Sequence, residues 1–265
     1  MKNFNLKYLL ITLITLIPAL ILDFTSSSII GVIAEIIVLT IPIIAFGQKK
    51  VFAFSFKSFF ETFVVGGALT IATAYYLITK LFKGILEAGT STIDRNLMIG
   101  FLISIFIGAG IREELLTRGF LCTFLRKTFG NTKASYIAAI TISSVLFGLI
   151  HLTNLRNTND PEAIYSQIIY AIGFGFFLGA LYIRTGNLWA NMILHYLFDI
   201  SLMFGPFVIE QSTQLGDAIK SWLGEGILIK SIIFTVACFA LELFLLRDSK
   251  LNPILEAAER EEMAA

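Results

Sequence analysis

Charge is what this sequence has least of. Asp, Glu, Lys and Arg make up 15% of its 265 residues against 56% hydrophobic residues, and the net charge is +1. A chain this apolar is not an ordinary soluble domain. The near-zero balance leaves out the basic footprint of a nucleic-acid binder, so no nucleic acid is expected as a partner. Cysteine is almost missing too: Cys122 and Cys238 both lie in apolar runs, with no paired spacing for a zinc ribbon or a disulfide framework. There is no H-E-x-x-H and no G-x-S-x-G, which sets aside a zincin helix and a serine nucleophile elbow. Histidine occurs twice, as His151 and His195, both inside hydrophobic segments.

What the sequence does have is apolar runs, at residues 9–22, 29–46, 59–82, 97–129, 134–152, 164–183, 188–204 and 227–246. The bilayer core is about 30 Å thick and takes about 20 residues of helix to cross. The expected fold is therefore all-α, a polytopic membrane bundle of about eight transmembrane helices. No repeat or linker divides it, so residues 1–265 read as one integral-membrane domain with a core at 97–204 and a polar tail at 247–265. No small-residue cleavage site follows residue 22, and the first run reads as a retained span. Within the sixth run, Gly175 and Gly179 form a small-residue face suited to close helix packing.

The cations set the orientation. Lys2, Lys7, Lys49, Lys50, Lys57, Arg126, Lys127, Lys133, Arg184, Arg247, Lys250 and Arg260 fall on the side of the chain ends, against Lys80, Lys83, Arg95, Arg156, Lys220 and Lys230 on the other. Twelve against six puts both termini in the cytoplasm of a bacterial-type cell membrane.

The fourth run carries Arg112, Glu113, Glu114 and Arg118, and charged groups inside a membrane segment point to a functional site. Glu114 and Arg118 stand four apart in the order that favours an ion pair. Glu113, about 100° further round the helix, faces elsewhere. Folding runs four and five into an antiparallel hairpin about Gly130 and Asn131 sets Glu113 level with Gly148, with His151 about 4.5 Å beyond. Phe147 can wall one side of His151, and Asn191, His195 and Asp199 follow one another at i+4 on the seventh run. By this count the acids and histidines meet near the membrane middle, towards the cytoplasmic side. Arg112 reads as a bystander that snorkels or pairs with an acid or a lipid phosphate. Glu35 and Glu242, single acids within runs, stay unassigned.

The chemistry that uses this set is attack of water on a carbonyl. A carboxylate and a histidine can hold and deprotonate the water, and a second histidine with a polar neighbour can steady the oxyanion. A divalent metal held by Glu113, His151 and His195 would support the same hydrolysis. Spacing alone leaves both mechanisms open.

The three ordered motifs, Glu113-Glu114-x-x-x-Arg118, Phe147-x-x-x-His151 and His195-x-x-x-Asp199, resemble those of the CAAX protease and bacteriocin-processing family, also called the Abi family. The run from Gly179 to Trp189 is similar to that family as well, and the likeness spans residues 108–199. The resemblance implies an eight-span intramembrane endopeptidase whose type II CAAX prenyl members remove a tripeptide after a prenylated cysteine. It implies Glu113 as the water-activating base with His151, Glu114 with Arg118 as structural or assisting, and His195 with Asp199 on the oxyanion side. Asp199 stands where the prenyl-protein members have Asn, so it is either protonated or orients His195. Thr117 replaces a commonly aromatic residue. The family has been described both as metal-dependent and as glutamate-dependent; the glutamate route, with no cofactor, is the expectation followed. The partners expected are the lipid bilayer and a membrane-tethered protein or peptide substrate, prenylated or not. The competing class is a non-proteolytic membrane protein of the same fold, a self-immunity or scaffold factor. A proton-coupled transporter ranks last, because no inverted repeat is visible.

Overall fold

The computed structural model describes residues 4–25, 28–82, 86, 93–158, 160–211, 215–216, 219–220 and 224–263. Of the cations counted above, Lys2, Lys83 and the side chain of Lys80 lie outside the described residues. The chain is a helical bundle, with no strand among the described residues.

Helix α1 is Leu6–Thr25 and α2 is Ile29–Ala45, and a 3-10 turn at Lys49–Phe52 leads to α3, Phe56–Tyr76. The fourth helix, α4, runs through residues 95–129; α5 is Lys133–Ile150, α6 is Pro161–Thr185 and α7 is Leu188–Phe204. Helix α8 is Ile227–Leu245 and α9, the polar tail, is Asp248–Met263. Eight apolar segments thus become helix, and among the described residues six helices are long and apolar enough to cross a membrane by length and composition.

Polar residues fix where these helices start. Side chains of Ser28, Asp94, Thr132, Asp160 and Asn187 each accept a hydrogen bond from a backbone N–H in the first turn of the helix that follows. These are the N-cap residue types expected of such starts, and Pro161 opens α6 in the position that tolerates it. Gly186, with φ 64°, ends α6 in the left-handed conformation that a side chain would strain.

Helix α6 is the buried centre of the bundle, packed between α5 and α8. Its glycines allow this. A Cβ added to Gly175 would come 2.7 Å from the Ser144 Cβ, and one added to Gly179 would come 2.7 Å from Ile140. The small-residue face read from the sequence is a packing seam. Helices α1, α2, α3 and α8 carry the large apolar side chains left exposed, among them Ile14, Ile30, Val64 and Ile233, where lipid would cover them.

Candidate active site

Helix α4 changes geometry where its charges sit. Residues Arg95–Ile105 and Thr123–Phe129 are α-helical, but Phe106–Glu113 and Leu115–Cys122 are π-helical, widened to i→i+5 hydrogen bonding. Such widening is often found at functional sites. Glu113 ends one widened stretch and Glu114 sits between the two, and the adjacent carboxylates leave the helix into different surroundings.

Glu113 points into a cavity of about 310 Å³, lined also by Asp23, Arg112, Phe147, His151, Phe174, His195 and Asp199. His151, the first residue past α5, has Nδ1 2.8 Å from the Phe147 carbonyl. A carbonyl only accepts, so Nδ1 carries the proton and Nε2 is left as the free nitrogen. The Phe147 ring stands edge-on between the two imidazoles, its centroid 5.0 Å from that of His151 and 5.7 Å from that of His195. Phe174 closes the other side of His195 at 5.1 Å.

Glu114 is wholly buried and does not line the cavity. Its Oε1 accepts from Arg118 Nη1 at 2.6 Å and lies 2.8 Å from His195 Nδ1. The Arg118 guanidinium also donates to Thr117 Oγ1 at 2.7 Å and to the Gly175 carbonyl at 3.3 Å, and it lies over the Phe147 ring. With Nδ1 committed to Glu114, the His195 nitrogen turned to the cavity is Nε2, 3.8 Å from Glu113 Oε2 and 3.7 Å from Asp199 Oδ2. Glu114 therefore joins Arg118 to His195, a direct contact that the sequence reading, which set His195 beside Asn191 and Asp199 and in one layer with the acids and His151, did not specify.

Two expectations need correction. Arg112 is no bystander: Nη1 donates to Asp23 Oδ1 at 2.6 Å and lies 3.7 Å from Glu35 Oε2, while Nη2 donates to Glu113 Oε1 at 3.2 Å. Glu35, left unassigned, belongs to this network and is buried on α2. Asn191 does share the helix of His195, but its Nδ2 donates to the Leu178 carbonyl at 2.7 Å and it does not line the cavity. Glu242 remains buried with neither carboxyl oxygen bonded among the described residues.

As placed, the side chains do not fit a metal. Among the described residues no three His, Cys, Asp or Glu groups converge as a ligand set. Glu113, moreover, faces a guanidinium.

The residues missed from the sequence are Asp23, Glu35 and the role of Arg112, together with Gln167, Tyr170 and Asn154 along the cavity wall. One signal was available for the first three: two acids and one arginine in, or at the end of, three separate apolar runs.

A helical membrane bundle that holds three acids and two histidines about one cavity is the class defined by this fold and geometry. Residues 95–201 match the model of the family described as type II CAAX prenyl endopeptidase Rce1-like, the family that the three motifs resemble. No curated protein matches the chain.

Proposed function

We propose that the chain is an intramembrane endopeptidase that hydrolyses a peptide bond of a membrane-associated protein or peptide. The observation that carries this reading is the convergence of Glu113, His151, His195 and Asp199, from three helices, on one cavity. The Glu113 carboxylate and the free Nε2 of His151 hold the attacking water, and Glu113 takes its proton as oxygen bonds to the carbonyl carbon. The carbonyl oxygen gains charge on the side of His195, which donates Nδ1–H to the Glu114 carboxylate and, as the imidazolium, donates Nε2–H to that oxygen. The proton on Glu113 passes to the leaving amine as the C–N bond breaks. Asp199 assists at the oxyanion only in its protonated form and otherwise orients His195.

One observation favours a second reading. Glu113 already has a charged partner in Arg112, so the cluster also suits a non-proteolytic scaffold or immunity factor that keeps its charges for stability. Purified protein given membrane-tethered peptides decides between them. Loss of cleavage in Glu113→Gln and His151→Ala with unchanged folding supports the enzyme; cleavage that survives both removes it.

A further inference from the structure

The cavity has a direction. Asp23 stands in the last turn of α1, His151 is the first residue beyond α5, and Asn154 lies in the 3-10 turn that follows. Gln167 is in the second turn of α6 and Leu215 is in the connection between α7 and α8. All five belong to the end of the bundle where α1, α3, α5 and α7 finish and α2, α4, α6 and α8 begin. That end is opposite the two chain termini.

The other end is sealed. Below Glu113 come Glu114, Arg118 and Asn191, each at 1% exposure or less. Beyond them Phe120, Phe124, Tyr136, Ile140, Leu178 and Leu181 are fully buried in the main apolar core. No described residue from the end that holds α9 and the turn at Gly130 lines the cavity. The sequence reading put the site towards the side of the termini; the lining leads the other way.

Charge then names the two faces. Leaving out Lys2, Lys80 and Lys83, whose side chains are not described, eleven of the twelve cations remain on the side of the termini against four of the six on the side of the cavity mouth. The positive-inside rule makes the terminal side cytoplasmic.

We propose that the cavity is entered from the outer face of the membrane. The substrate is then a polypeptide anchored in the bilayer with its scissile segment on the outer side, and a protein prenylated in the cytoplasm is not one. This rests on the endopeptidase reading for the word substrate, but not for the direction of the mouth.

The test separates the two. In the full chain with Cys122 and Cys238 replaced, single cysteines are placed at Asn154 in the cavity wall, at Arg156 beside it and at Lys133 on the opposite end. A membrane-impermeant maleimide should label Asn154→Cys and Arg156→Cys in intact cells, and Lys133→Cys only in inverted vesicles. The protein with its native cysteines, in vesicles of one orientation, should cut a lipid-anchored peptide whose scissile segment lies on the outer face and spare the same peptide on the inner face. Labelling of Asn154→Cys only from the side that labels Lys133→Cys overturns the proposal, as does cleavage of the inner-face peptide. Labelling as expected with neither peptide cut upholds the outward mouth and removes the endopeptidase.

Discussion

Glu113 and Glu114 are neighbours in the chain and opposites in surroundings. Glu113 keeps 21% of its side chain exposed, faces a cavity and shares its one cation with Asp23 and Glu35. Glu114 is dry, with Oε1 fixed by one arginine and one histidine. An open carboxylate can exchange protons with a bound water and a sealed one cannot, so under the proposed hydrolysis the identical side chains would divide into a reacting group and a brace. The difference comes from their successive places round the helix, which turn neighbours about 100° apart, not from the residue type.

If that contrast is right, substitutions on the two sides should fail in different measurements. Glu113→Gln should cost activity and little stability: loss of a general base is worth about 10²- to 10⁴-fold in cleavage rate, with a thermal unfolding midpoint close to that of the wild type. Equal losses in melting and cleavage would erase the distinction. Glu114→Leu should do the reverse first, because it strands a buried guanidinium, at a cost of about 3–5 kcal/mol. Unfolding followed by circular dichroism in detergent reads this. The double variant Glu114→Gln, Arg118→Met should recover much of that stability, since replacing both members of a buried pair is often near neutral, yet leave His195 without its carboxylate and cleavage impaired. Asp23→Asn weakens one of the three carboxylate contacts of Arg112 in a mostly buried network, a charged hydrogen bond worth about 1.5–3 kcal/mol. It should lower cleavage by under about tenfold and shift its pH profile through Arg112, and an unchanged profile would detach α1 from the site.

The smallest effect lies outside both halves. At the end of the bundle opposite the chain termini Asp160 pairs with Lys220, and that hydrogen bond holds the Asp160 carboxyl below its ordinary value. A depressed carboxyl contributes stability above the ordinary value of about 3.9, and this is lost as the pH falls through the lower folded-state value. Lys220→Ala should therefore melt slightly below the wild type at pH 7, by under about 1 kcal/mol for a surface pair, and the two should converge in acid.

The helices were legible because a span must be apolar over most of its length, so all eight runs fall on helices and differ from them by a few residues at the ends. The Glu114–Arg118 pair was legible because both partners lie on one helix. The widened turns of α4 were not, since the same residues serve α and π geometry. The Asp23–Arg112–Glu35 network joins three helices, and spacing along one helix carries no information about the others. Asn191 shows the limit of the i+4 rule. Each step of four residues overshoots a turn by about 40°, so across two steps Asn191 and Asp199 no longer face the same way, and one reaches α6 while the other reaches the cavity.

Asp23 and Glu35 lie on α1 and α2, outside the matched residues 95–201. The matched segment is thus shorter than the unit that holds the Arg112 ion-pair network. Moved into another bundle without the first hairpin, it would carry Arg112 with Glu113 as its sole counter-ion, and the acid assigned to the water would be tied up as a charge balance instead.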